Sequence, residues 1–179
     1  MLVAKDKLKS NIGEYFLYMF QVEDLIRACN FDISIIKEKL VSQYETNEQT
    51  KTEISNWYSG LNDLMLEEKL QSKGHLSFLT NKIHELFDFH LYLIQSEDEE
   101  YLRWIKKNDE LIADLKSKQI HQLNDVNAIL NAIYGIYLMK LKKQEVSEET
   151  LISVSQLSKQ LALLSKKFKD YETGKLAIE

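Results

Sequence analysis

Proline is absent from this chain of 179 residues. At average usage, about 5%, roughly nine would be present. Proline removes a backbone donor and breaks helix interiors at about 3 kcal/mol. Its absence fits long helices joined by short connections. Cysteine occurs once, as Cys29, so no internal disulfide can form and a stapled secreted scaffold is excluded. Only five glycines are present. None builds a Gly-x-x-x-x-Gly-Lys-Ser/Thr or Gly-x-Gly-x-x-Gly phosphate loop, nor a Gly-x-Ser-x-Gly nucleophile turn. No apolar run approaches the roughly 18 residues that cross a bilayer. Lys5, Asp6, Lys7 and Lys9 interrupt any leader-like stretch, so a cytoplasmic address is expected, with no membrane partner. Valine is scarce, 6 against 27 leucines, which favours helix over sheet.

What is present is an ordinary globular composition, 44% hydrophobic and 28% charged, with a net charge of −5. Both signs are interspersed, which argues against a nucleic-acid partner. Apolar spacing predicts a first helix from Val3 to Ala28. A short second helix follows, capped by Asp32 or Ser34 and ending near Tyr44. Thr46 with Gln49 reads as a capping box for a third helix, which carries Ile54, Trp57, Tyr58, Leu61, Leu64 and Met65 and stops before Gly74. Ser77 is expected to cap a fourth helix, and Ser96 with Glu99 to box the start of a fifth that ends near Gln119. Asn124 is expected to cap a sixth and Ser147 a seventh. The lysines Lys140, Lys142 and Lys143 suit the carboxyl end of the sixth.

Laid on a wheel of 3.6 residues per turn, the first helix shows one anomaly. Ile12, Tyr15, Phe16, Met19, Phe20, Val22 and Ile26 fill one apolar arc, and Glu14, Gln21 and Asp24 oppose it. Glu23 projects inside the apolar arc. Arg27 follows one turn later, in the order that suits a Glu–Arg contact. His90 lies on the apolar face of the fourth helix, Asn108 on that of the fifth, and Lys140 near that of the sixth. Such residues are first read as structural: an ion pair that orients a helix, or a satisfied core histidine. The sharper reading is a pocket made by Glu23, Arg27 and His90, with Tyr15, Tyr18 and Asn108 nearby. There Arg27 would hold an anionic group and His90 would serve as acid or base.

Metal chemistry is not signalled. None of His75, His84, His90 and His121 sits in the Glu-x-x-His pattern of a di-iron bundle, and none has a second histidine four residues away. No metal site and no cofactor are therefore expected. Cys29 has no histidine beside it and reads as a small apolar filler.

The segment Tyr18-Met19-Phe20-Gln21-Val22-Glu23-Asp24-Leu25-Ile26-Arg27-Ala28, with Gly74-His75-Leu76, His90-Leu91 and Tyr134-Gly135, resembles a family of small all-helical proteins from Bacteroidetes-type bacteria. That family is catalogued as a domain of unknown function. The resemblance implies one cytoplasmic helical domain and carries no activity. The expected fold is all-α: a single-domain antiparallel bundle of six or seven helices over residues 1–172, with a frayed tail at 173–179. The expected function is a non-enzymatic interaction or scaffold protein, self-associating as a homo-oligomer or bound to a protein partner. The alternative is a small-molecule-binding protein or hydrolase using the Glu23, Arg27 and His90 pocket.

Overall fold

The computed structural model describes residues 2–118 and 123–176. Among these, eight α-helices and one 3-10 turn account for the ordered elements. They are α1 (Leu2–Ser10), α2 (Ile12–Ala28), α3 (Ile33–Lys39), the turn Val41–Gln43, α4 (Glu48–Glu67), α5 (Ser77–Gln95), α6 (Glu99–Ser117), α7 (Asp125–Leu141) and α8 (Glu148–Glu172). The helix end expected near Gln119 and the histidine at 121 lie outside the described residues.

The helix count exceeds six or seven because the first helix is two. Asn11 is extended (φ −156°, ψ 102°), and its side chain accepts from the Glu14 amide, so α2 begins anew. Two residues later the break is fixed from outside. The Gly13 amide donates to Ser165 Oγ at 3.1 Å. A Cβ on Gly13 would lie 2.8 Å from both Leu161 Cγ and Ser165 Oγ, so α8 can approach here only because the residue is glycine.

The caps follow the expected physics with shifted residues. Asp32, Asn124 and Ser147 cap α3, α7 and α8. Asn47 replaces Thr46 as the cap of α4, accepting from the Thr50 amide, and Asp98 replaces Ser96 as the cap of α6, accepting from Tyr101. In each case an Asn or Asp nearer the helix outcompetes the upstream hydroxyl. The chain also closes helices without glycine. Lys69, Glu97 and Lys143 adopt positive φ just past α4, α5 and α7, and the next amide reaches back to Met65, Leu93 and Met139. Thus α4 stops at Glu67, and Gly74 (φ 92°) serves the following loop instead. After α8, Gly174 plays the same closing part, and the Lys175 amide returns to Asp170.

The centre of the molecule is α2, which touches α1, α4, α7 and α8. Phe16, Met19, Phe20, Val22 and Ile26 are fully buried along it. Each such side chain contributes roughly 1.5–3 kcal/mol of burial. The second half packs α5 on α6, α7 and α8. Along α6 and α8 the contacts run in opposite directions: Asp98 meets Lys167, and Asn108 meets Gln160. No described helix is long and apolar enough to cross a membrane.

Candidate functional site at the α2–α5 junction

The position of Glu23 follows from how α5 starts. Leu76 precedes that helix and has no side-chain acceptor to cap it. The open amides at a helix start carry partial positive charge and need acceptors. Two glutamates from other segments supply them. Glu23 Oε1 accepts from the Leu76 amide at 2.8 Å, and Glu68 Oε2 accepts from the Ser77 amide and hydroxyl at 2.7 and 2.8 Å. Ser77, expected to be the cap, is instead held by one. The buried carboxylate of Glu23 thereby ties α2 to the start of α5.

The second oxygen of Glu23 meets His75 Nδ1 at 2.5 Å. His75 stacks on Phe20, with centroids 3.7 Å apart and planes 19° apart, and its side chain remains 29% exposed. Phe20 in turn meets the Tyr134 ring edge-on at 5.6 Å. Tyr134 donates to Asp24 Oδ2 at 2.7 Å, while Arg27 takes Asp24 Oδ1 at 2.8 Å. Arg27 also donates to the carbonyls of Leu70 and Gly74, at 3.0 and 2.5 Å, and so ties down the loop that leads to His75. Burial, then the Asp24 carboxylate, raises the Tyr134 phenol well above its ordinary range. Tyr15 is buried against Phe16, and burial, then the charge of Glu23, raises its phenol.

The pairing expected between Glu23 and Arg27 is not made. Arg27 pairs with Asp24, three residues earlier, because both face the loop while Glu23 points into the core. His90 also belongs elsewhere. Its Nδ1 lies 2.7 Å from the Tyr101 hydroxyl and its Nε2 lies 3.6 Å from Asp125 Oδ2. Asp125 is held in turn by Lys116 at 2.7 Å. His90, then Lys116, draws the Asp125 carboxyl down to about 2 against the opposing effect of burial. Asn108 donates to Gln160 at 2.6 Å, and among the described residues the buried Asn108 Oδ1 and Gln160 Nε2 have no hydrogen-bond partner. Tyr18 lines a cavity of about 260 Å³ between α2 and α7 with Leu17, Gln21, Ile133, Tyr134 and Tyr137. Lys140 is exposed.

The histidine that meets Glu23 is therefore His75, which periodicity could not find because it lies in a loop. An imidazole oriented by a buried carboxylate can act as a base. Here, however, both Glu23 oxygens, both Asp24 oxygens and all three Arg27 nitrogens are engaged in holding helices and loop together. Among the described residues, no group of three or more His, Cys, Asp and Glu side chains is placed to hold a metal ion.

Three segments converge at this junction: Tyr18 to Ala28, Gly74 to Leu76, and Tyr134 with Gly135. They are three of the four segments on which the family resemblance rests; the fourth, His90-Leu91, lies apart, with His90 against Tyr101. A family model described as a domain of unknown function (DUF4924) matches residues 1–175. The chain belongs to that family. No curated protein and no solved structure matches it. Family membership accounts for nearly the whole chain as one unit and assigns no chemistry to the junction.

Proposed function

We propose that the protein is a non-enzymatic helical scaffold that pairs with a second copy of itself through the end where α7 turns into α8. The observation that carries this reading is the apolar surface at that end. Leu141 is 60% exposed and Ile152 is 54% exposed, the largest values among the described large hydrophobic residues. The sequence of α7 from Ala128 to Met139 carries no charge and is apolar on most of its circumference, yet residues 131–139 are only half-buried. A helix apolar over most of its surface belongs largely in an interior, so this one lacks part of its cover.

Charge supports a second copy as that cover. Exposed Lys140, Lys142 and Lys143 lie beside exposed Glu145, Glu148 and Glu149. In a two-fold interface the same patch meets itself, so each basic cluster can face the other copy's acidic one. The cytoplasmic address and the Bacteroidetes-type source belong to this same proposal. They are supported by the lone buried Cys29 and by the Tyr18 to Ala28 segment.

Light scattering over a concentration series tests the reading. The wild-type mass should rise toward twice 21.0 kDa, and the double variant Leu141→Glu, Ile152→Glu should stay at the single-chain mass with unchanged helical circular dichroism. A wild-type protein that keeps the single-chain mass at every concentration overturns the proposal.

A further inference from the structure

A groove between α5 and α8, remote from the α7–α8 turn, has walls of one chemical kind. Buried Phe89 forms its base. Tyr92 and Tyr171 both lie nearly parallel to Phe89, at 6.0 Å and 25° and at 5.2 Å and 18°. Phe168 stands against the same ring edge-on at 5.4 Å. Glu85 and Asp88 border the rings from α5, and Glu172 does so from α8. The open groove has a volume of about 400 Å³.

The protein already places one cation here. Lys82 Nζ lies 5.3 Å from the Phe168 centroid, 2.6 Å from Glu85 and 3.2 Å from Glu172. Burial alone would lower the Lys82 pKa, but the two carboxylates outweigh it and the pKa rises. The groove therefore favours positive charge even where water is partly removed. Lys82 covers only one side. Asp88, also on the rim, has no hydrogen-bond or ion-pair partner among the described residues, and Tyr171 is exposed. Three carboxylates thus face one ammonium.

We propose that this groove binds a small organic cation bearing a methylated ammonium, seated against Tyr92 and Tyr171 and facing the Asp88 carboxylate. Ring faces attract cations through their quadrupole, and methyl groups spread that charge over a surface that rings can cover. A bare divalent metal would need about six oxygen ligands, which a wall of rings does not supply. A primary ammonium would need hydrogen-bond acceptors on several sides, and Lys82 already uses Glu85 and Glu172.

The test is a calorimetric titration of the full chain with choline, with its neutral isostere 3,3-dimethyl-1-butanol, and with ethanolamine. Choline should bind saturably and both other compounds at least roughly tenfold more weakly. Tyr171→Ala and Asp88→Asn alter exposed residues and should each weaken choline by roughly tenfold. Lys82→Gln should strengthen it, because it frees Glu85, Glu172 and the Phe168 face. No saturable choline binding, equal binding of the neutral alcohol or of ethanolamine, or choline binding indifferent to both Tyr171→Ala and Asp88→Asn would each overturn the proposal.

Discussion

The α2–α5 junction and the α7–α8 turn are opposites. At the junction, the Glu23 carboxylate is fully buried, and each oxygen of Glu23 and of the part-exposed Asp24 has a donor. At the turn, aliphatic groups stand in solvent, with Leu141 and Ile152 more than half exposed. The first arrangement is against the grain of the hydrophobic effect but closed. The second is compatible with local chemistry but open. Burying a polar group costs free energy only until it is paired, whereas exposed apolar area continues to cost until something covers it. The buried charge therefore explains the fold, and the exposed aliphatics point outward to a partner.

The largest expected effect comes from breaking the closed side. Glu23→Ala leaves the Leu76 amide and His75 without their acceptor and should cost about 3 kcal/mol in a urea titration. Glu14→Ala, which removes an exposed ion pair to Lys7, should cost no more than about 0.5 kcal/mol. Equal losses would mean that Glu23 does not pin the junction.

A smaller effect separates the junction from the His90 cluster. The folded pKa of Asp125 lies below its unfolded value, so its carboxylate stabilises the fold above roughly pH 4. That contribution, on the order of 2 kcal/mol, fades as pH falls through about 2. Asp125→Asn should flatten the acid limb of a stability–pH profile. An unchanged acid limb would show that His90 and Lys116 do not hold that carboxylate.

The sequence carried the helical class, the burial of Glu23, His90 and Asn108, and three of the caps, because each depends on spacing within one helix. It did not carry the partners. The wheel places Glu23 and His90 each on an apolar face, but two helices can present such faces to different neighbours. Glu23 meets the α5 start and His90 meets Tyr101. His75 carries no periodic signal because it lies between α4 and α5. The break at Asn11 was hidden for a related reason. The apolar stripe continues through it, and only Gly13 against Leu161 and Ser165 shows why a new helix begins there.

The smallest change in stability belongs to the open side, and the most direct measurement lies there too. Substituting Leu141 and Ile152 should alter the stability of the single chain by no more than about 0.5 kcal/mol each. Hydrogen–deuterium exchange at high and low protein concentration reads the cover itself. Self-association through this end predicts that backbone amides in residues 131–141 and 148–153 lose protection on dilution, while those around Glu23 and Leu76 do not change. Protection at 131–141 and 148–153 that is independent of concentration would contradict the account.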